Sequence, residues 1–135
     1  MSSLEHLGAL GPVWSLNERE AGLLADRLGL RVEAGDRAGV CEALSGRLGT
    51  VLVRVGEQGS WFSDGGAARH TPSIPVTPVD TNGAGDAHSG VLAAALARGI
   101  DLTTALRWAN VAGALTVTHF GPATCPSEAE IRALV

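Results

Sequence analysis

The sequence predicts a layered α/β domain, and three observations lead to this prediction. Short β-branched apolar runs alternate with helical segments, and a glycine-rich loop precedes a helix of small residues. In addition, 45% of the 135 residues are hydrophobic, which is enough for a real core. Because this length suits one domain, we expect residues 1–135 to form a single domain.

The first predicted elements are a short buried strand at 13–16 and the helix that follows it. Asn17 is placed to cap this helix, and Glu20, three residues later, completes a capping box. Gly29 ends the helix. Its apolar stripe is predicted to consist of Leu23, Leu24 and Leu28. A second helix is predicted from about Asp36 to Leu48, with its apolar positions facing inward.

The strongest predicted strand is the β-branched, almost entirely apolar run at 50–55, which suits a sheet covered on both faces. A turn at 56–59 returns the chain into an antiparallel strand at 60–62. The segment 70–79 contains three prolines, so we expect it to be extended and to lie at an edge.

Helices dominate the predicted second half. The glycine-rich loop at 80–86 leads into a helix of small residues that ends at Gly99. Either Asp101 or Thr103 caps the next helix, which runs to about residue 118. A short last helix starts at Ser127, with Glu130 at its third position.

Charge and composition exclude several function classes. The net charge is −4 and no basic stripe is visible, so nucleic acid and acidic membrane surfaces are poor partners. All ten basic residues are arginine. Without lysine, the chain cannot carry a Walker phosphate loop, a protein-kinase site or Schiff-base chemistry.

Cysteine usage and hydropathy favour a cytoplasmic protein with reduced thiols. Cys41 and Cys125 lack the spacing of a disulfide framework or a zinc site. The first residues have no basic, apolar signal-peptide pattern, and the longest apolar stretch, at 91–97, is too short to span a membrane.

The loop D-T-N-G-A-G-D at 80–86 carries the strongest chemical signal. A glycine loop that enters a helix exposes backbone N–H groups, which attract phosphate together with the helix dipole. Asp86 would lie beside that anion site, where its carboxylate can take a proton from an attacking alcohol. A dinucleotide fingerprint fails, because position 88 is His rather than Gly. The residues alone leave a plain turn with Asp86 as a helix cap equally open.

The same loop resembles the signature of the ribokinase-like (PfkB-type) carbohydrate and nucleoside kinases. The N-x-x-E at 17–20, the V-R-V-G-E-Q-G at 53–59 and the P-x-x-x-E-I at 126–131 are similar to further segments of that family, as is the helix at 107–121. The resemblance implies a layered α/β/α ribokinase-like fold. It also implies that residues 1–135 are the C-terminal part of the kinase domain, without the N-terminal sugar-binding and lid part.

By this resemblance the chain is an ATP-dependent phosphotransferase that acts on an alcohol group of a sugar or nucleoside, with Mg²⁺ as cofactor. Asp86 is the expected catalytic base, and Gly83, Ala84 and Gly85 form the expected anion hole. The residues expected to bind ATP are Asn17, Arg54, Val55, Gly56, Glu57, Gln58, Gly59, Gly85, Asp86 and Asn110. The family often has Thr where Arg54 stands, and Asn110 could equally face solvent.

Two metal sites are implied by the resemblance. Asn17 and Glu20 would help to hold Mg²⁺ through water, although a simple capping box explains the same pair. Many family members also bind a monovalent cation such as K⁺ beside the loop. Its expected ligands here are the Asp80 carboxylate and the carbonyl groups of Asn82, Thr116, His119 and Gly121. Turn capping is the alternative for Asp80, and His88, where relatives commonly have Phe, is expected to pack or to line the site.

The implied missing half suggests partners and a second function. Strand 50–55 would lie at a cut edge of the sheet, which a second copy of the chain or a separate lid-half chain would cover. The alternative to an active kinase is a truncated, catalytically inactive remnant that binds nucleotide or a partner.

Overall fold

The computed structural model describes Leu7 and residues 10–135, which fall into two compact units. The first unit comprises the described residues up to Gly56 together with Ser60–His70, and the second comprises Glu57–Gly59 and Thr71–Val135. Helices and a mixed sheet alternate along the chain, so the predicted α/β class is confirmed.

The first unit is built around a sheet. Its elements are β1 (Trp14–Asn17), α1 (Glu18–Arg27), α2 (Arg37–Leu48), β2 (Val51–Arg54) and β3 (Ser60–Ser63), and the short β4 (Arg69–Thr71) belongs to it up to His70. A turn of 3₁₀ helix, Gly56–Gln58, follows β2. The strand order is β1-β2-β3-β4, with β1 parallel to β2 and β3 antiparallel to β2, as the turn at 56–59 predicted.

The position of β2 corrects one expectation. The strand does not lie at a cut edge, because β1 and β3 flank it. Val51, Leu52 and Val53 are buried, at most 1% exposed. Uncovered apolar side chains on this strand therefore give no reason to expect a second chain.

Side-chain caps fix the two helices of the first unit. Asn17 Oδ1 accepts the N–H of Glu20 at 2.8 Å, and Glu20 Oε2 accepts the N–H of Asn17 at 2.7 Å, so the predicted capping box is confirmed. Asp36 caps α2 by accepting the N–H of Gly39 at 2.8 Å. Leu24 and Leu28 pack on the core, but Leu23 is 60% exposed and does not belong to the predicted apolar stripe.

The core of the first unit lies between α1, α2 and the sheet. Its fully buried members include Ala21, Cys41, Leu44, Leu48 and Val51. Burial raises the pKa of the Cys41 thiol to about 12, so this group stays a neutral thiol that donates to the carbonyl of Val51 at 3.4 Å.

The second unit is helical: α3 (Ala84–Ala97) and α4 (Leu102–Thr116) pack closely, and α5 (Glu128–Arg132) joins them. A Cβ on Gly113 would lie 3.5 Å from the carbonyl oxygen of Ala84, which shows how near α4 comes to the start of α3. Asp101, rather than Thr103, caps α4. No helix in the described part of the chain is long and apolar enough to cross a membrane.

The last helix is held by the predicted cap and by an ion pair. Ser127 and Glu130 form the second capping box, which confirms the predicted start of α5. Arg98, just after α3, pairs with Glu128 at 2.7 Å and so joins the ends of the two helices.

Candidate active site

Gly83 sets the geometry of the glycine loop. It is the N-cap of α3 with φ +79°, a left-handed conformation that L side chains rarely adopt. A Cβ on this residue would collide with the carbonyl group of Pro122, lying 3.1 Å from its carbon. Both the conformation and the close approach therefore require glycine here.

The start of α3 presents backbone donors that no side chain of the N-cap residue satisfies. Gly83 makes no side-chain cap bond, and Ala87 is the first residue whose N–H bonds back along the helix, to the carbonyl of Gly83 at 2.9 Å. The N–H groups of Ala84, Gly85 and Asp86 precede it, where a helix has no internal acceptors to offer. These donors and the helix dipole can bind an anion.

Asp86 belongs to the same turn. It is the third residue of α3 and is exposed, so its carboxylate lies at the positive end of the helix and is open to a ligand. Gly83 occupies the cap position, so the alternative in which Asp86 caps the helix is wrong. The arrangement can bind a phosphate through N–H groups and can accept a proton next to it.

Asp80 fastens the beginning of the loop to the segment after α4. Its Oδ1 accepts the N–H of Asn82 and its Oδ2 accepts the N–H of Gly121, each at 3.0 Å. The backbone hydrogen bond from Asn82, followed by that from Gly121, lowers the pKa of this carboxyl. The carboxylate therefore has the turn-capping role given above as the alternative, and it brings residues 80–82 next to residue 121.

Two of the carbonyl groups expected to hold a cation contact Thr124, a residue that the sequence pattern did not indicate. The hydroxyl of Thr124 lies 3.1 Å from the carbonyl oxygen of Thr116 and 3.4 Å from that of Gly121. The hydroxyl of Thr116 itself donates within α4, to Ala112 at 2.8 Å. His119 is exposed. No spacing in the sequence marks Thr124, because it stands in an irregular segment that only the fold brings back to α4.

Asn110 is buried, so the alternative in which it faces solvent is wrong. It is 4% exposed, and its amide nitrogen donates to the carbonyls of Thr71 at 2.8 Å and Pro72 at 3.2 Å. Its Oδ1 lies 3.0 Å from Nε2 of His88. Since Oδ1 can only accept, Nε2 of His88 carries the proton in this pair. His88 is thus a buried packing residue on α3, as expected.

The segment 54–59, which is expected to bind the nucleotide, ends at Gly59, and Gly59 packs against the backbone of residues 71–73. Gly59 has φ +94°, and a Cβ there would lie 2.7 Å from both the carbonyl carbon of Pro72 and the nitrogen of Ser73. Gly59 and Asn110 therefore approach the same short piece of backbone within the second unit.

Arg54 and Glu20 form a pair that the sequence did not reveal. Arg54 ends β2 in register with Asn17, the last residue of β1, and its Nη2 lies 3.6 Å from Oε2 of Glu20. Val55 follows with a buried side chain, so only its backbone can contact a ligand.

The pair Asn17 and Glu20 fits a hydrated Mg²⁺. Oδ1 of Asn17 and Oε2 of Glu20 are engaged in the capping box. Within the described residues, Oε1 of Glu20 has no such contact and can accept from a water molecule on a metal ion. In the same part of the chain, no group of three or more His, Cys, Asp or Glu side chains forms a metal site.

A cavity of about 350 Å³ in the first unit lies elsewhere. Its floor is apolar, with Ala25, Leu30 and Val53, and its rim is mainly acidic, with Glu18 and Asp26. It contains none of the predicted site residues, so size alone does not mark the candidate site.

Comparison with known proteins connects these features to one family. The model of the pfkB family carbohydrate kinase matches residues 3–129. Ribokinase of Bacillus subtilis (strain 168) is 38% identical over 119 residues, which cover 88% of this chain and 36% of that enzyme.

Two solved structures share the fold. A putative ribokinase II from E. coli, in complex with ATP and Mg²⁺, is 30% identical with a TM-score of 0.75, covering 96% of this chain and 41% of that one. A fructokinase double mutant from Vibrio cholerae O395, with fructose, ADP and potassium ion bound, is 26% identical with a TM-score of 0.75. The match covers 90% of this chain and 39% of the fructokinase chain. The chain thus spans about two fifths of the length of these relatives. With the family model matched along nearly its whole length, the chain belongs to the pfkB family of carbohydrate kinases.

Proposed function

We propose that the chain is the nucleotide-binding part of an ATP-dependent phosphotransferase whose acceptor is an alcohol group of a sugar or nucleoside. The observation that supports this most is the start of α3, where uncapped N–H groups follow the left-handed Gly83 and the exposed Asp86 stands in the same turn. A phosphate-binding helix start with an adjacent carboxylate suits phosphoryl transfer to an alcohol.

In the proposed reaction, Asp86 takes the proton of the acceptor hydroxyl while that oxygen attacks the γ-phosphorus of ATP. The bond between the γ-phosphorus and the bridging oxygen breaks, and ADP leaves with the electron pair. The N–H groups of Gly83, Ala84 and Gly85 donate to the charge that develops on the phosphoryl oxygens. The left-handed Gly83 fixes the direction of these donors before the substrate arrives.

The remaining ATP-binding residues contribute in different ways. The segment Arg54–Gly59 and Asn17 are proposed to contact the nucleotide, Val55 through its backbone. Asn110 is proposed to act by holding the backbone of Thr71 and Pro72 rather than through a free side chain, since its amide already makes the hydrogen bonds given above.

Mg²⁺ and a monovalent cation such as K⁺ are proposed as further components. Oε1 of Glu20, with Asn17 beside it, would accept from a water molecule on Mg²⁺, which neutralises phosphate charge when bound. The carbonyls of Asn82, Thr116, His119 and Gly121, with Asp80, would hold the monovalent cation. Of the two similar structures, one is in complex with ATP and Mg²⁺ and the other has potassium ion bound, which supports these proposals.

Calorimetric titration of the purified chain with Mg-ATP tests the proposal. We expect saturable binding that Gly85→Asp abolishes, because the new carboxylate would stand among the donors. Gly90→Asp is the matched control, since Gly90 is exposed on the same helix with open space around it, and it should bind as the wild type does. A folded chain that binds no nucleotide would instead support the alternative, a catalytically inactive remnant.

A further inference from the structure

The ion pair between Arg54 and Glu20 joins two residues that the proposed function assigns to the nucleotide and its metal. Arg54 and Asn17 end the neighbouring parallel strands β2 and β1 in register, and Glu20 lies in the first turn of the helix that follows β1. The carboxyl ends of parallel strands are the ligand-binding edge of α/β sheets. A cation and a carboxylate therefore meet at this edge.

The distance between the two charged groups is long, and the guanidinium group of Arg54 has a hydrogen-bond donor without a partner. The distance from Nη2 to Oε2 of Glu20 is 3.6 Å, within range of an ion pair but longer than a good hydrogen bond. Nε of Arg54 is buried and has no hydrogen-bond partner. A buried donor without a partner is unfavourable, and a guanidinium group binds phosphate oxygens well.

Glu20 has the stronger bond elsewhere. Its Oε2 accepts the N–H of Asn17 at 2.7 Å and would keep this bond if Arg54 moved away. Half of the Glu20 side chain is exposed, compared with 20% of the Arg54 side chain. An ion pair at this distance with one half-exposed partner contributes little to stability, so exchange of the partner of Arg54 costs little.

We propose that Arg54 is a phosphate-binding residue that moves from the carboxylate of Glu20 to the triphosphate of the nucleotide. This inference rests on the proposed function. In the free chain the two charges neutralise each other. When the triphosphate binds, Arg54 donates to its oxygens, and the full charge of Glu20 becomes available to a hydrated Mg²⁺. Arg54 thus supplies part of the positive charge that the triphosphate needs, and binding without Mg²⁺ depends on it.

This exchange predicts opposite effects for the two members of the pair, whereas a merely structural pair predicts the same effect for both. Without Mg²⁺, Arg54→Thr removes the cation and should weaken binding of the triphosphate by about tenfold or more. Glu20→Gln frees Arg54 from its competitor and removes a negative charge, so binding should tighten by about two- to fivefold. With saturating Mg²⁺, Arg54→Thr should weaken binding by less than about threefold, because the metal then neutralises the phosphates.

The experiment is calorimetric titration of the full chain with ATP, and separately with inorganic tripolyphosphate, in excess EDTA and in saturating Mg²⁺. Arg54→Lys, which keeps the charge, should stay within about threefold of the wild type. If Arg54→Thr does not fold, the predicted tightening in Glu20→Gln carries the test, and no tightening there would overturn the exchange. Arg69→Thr is the matched control, because Arg69 forms a similarly loose pair with Asp64 at 3.4 Å and should leave binding unchanged.

The outcomes separate the inference from the proposed function. Equal losses in Arg54→Thr and Glu20→Gln, or no loss in Arg54→Thr without Mg²⁺, would overturn the exchange while nucleotide binding stands. Binding of tripolyphosphate but not of ATP, with the opposite effects retained, would overturn the proposed function and leave the exchange. A wild-type chain that binds neither anion would overturn both.

Discussion

Nε2 of His88 donates to Oδ1 of Asn110 across 3.0 Å, and this bond joins α3 to α4 inside the second unit. The amide nitrogen of Asn110 donates to the carbonyl groups of Thr71 and Pro72. One buried side chain therefore connects the helix that carries Asp86 with the backbone on which Gly59 packs.

Asn110→Ala should lower the free energy of unfolding by about 2–3 kcal/mol, because it leaves the N–H of His88 and two backbone carbonyls without their partner. Urea denaturation measures this change. Arg107→Ala, at an exposed position of the same helix, should change stability by less than about 0.5 kcal/mol. Equal effects of the two substitutions would show that the buried amide is not important for stability.

Gly83→Ala should destabilise the chain more than Gly99→Ala. The two glycines have nearly the same φ, +79° and +77°, so alanine meets the same backbone strain of about 1–2 kcal/mol at each. Only at Gly83 does the new Cβ also collide with Pro122, because the space around Gly99 is open. Thermal unfolding of both variants separates the collision from the strain, and similar losses would contradict the close approach.

Asp80 should stabilise the chain only above the acid range. Its folded pKa is lowered, mainly by the N–H of Asn82, so its contribution is complete above the unfolded value and disappears as pH falls through the folded one. Asp80→Asn should therefore melt at a lower temperature than the wild type at about pH 7, and the difference should shrink as the pH falls through the lowered folded pKa of Asp80. Asp26→Asn, at an exposed position on α1, serves as the control. A difference between Asp80→Asn and wild type that persists at low pH would contradict the role of the charge.

Asp86→Asn should separate nucleotide binding from catalysis. The substitution removes a negative charge beside the proposed phosphate site, so binding of ATP in EDTA should stay the same or tighten a few-fold. Any phosphoryl transfer by the chain should fall by about 10²-fold or more, because the proposed base is lost. Loss of binding in Asp86→Asn, as in Gly85→Asp, would show that Asp86 supports the loop rather than the reaction.

Local signals in the sequence predicted much of the fold. The capping boxes at Asn17 and Ser127 use residues three positions apart, so a short stretch of chain determines them. The glycine loop was likewise readable, since Gly83 and the helix after it are neighbours in the sequence. The prediction for Leu23 is wrong, because the core-facing residues of α1 recur at helical spacing, at 21, 24, 25 and 28, and Leu23 lies off that face.

Contacts between distant residues were not predictable in this way. Arg54 and Glu20 meet only because β1 and β2 pair in register. Asn110 could be placed on a helix but not in the interior, since its three partners come from α3 and from residues 71–72. Thr124 reaches Thr116 by an irregular return of the chain, which leaves no periodic pattern to read.

Of the two cysteines, only Cys125 is accessible to a thiol-specific reagent in the folded chain. Cys41 is buried in the core of the first unit as a neutral thiol, whereas Cys125 is exposed. A maleimide dye should consequently attach at one defined position in the native protein without any engineering. That position adjoins Thr124, so the dye would report on the surroundings of the loop by fluorescence. Labelling of Cys41 would occur only when the first unit unfolds and exposes its core, so the labelling rate would report on that unfolding.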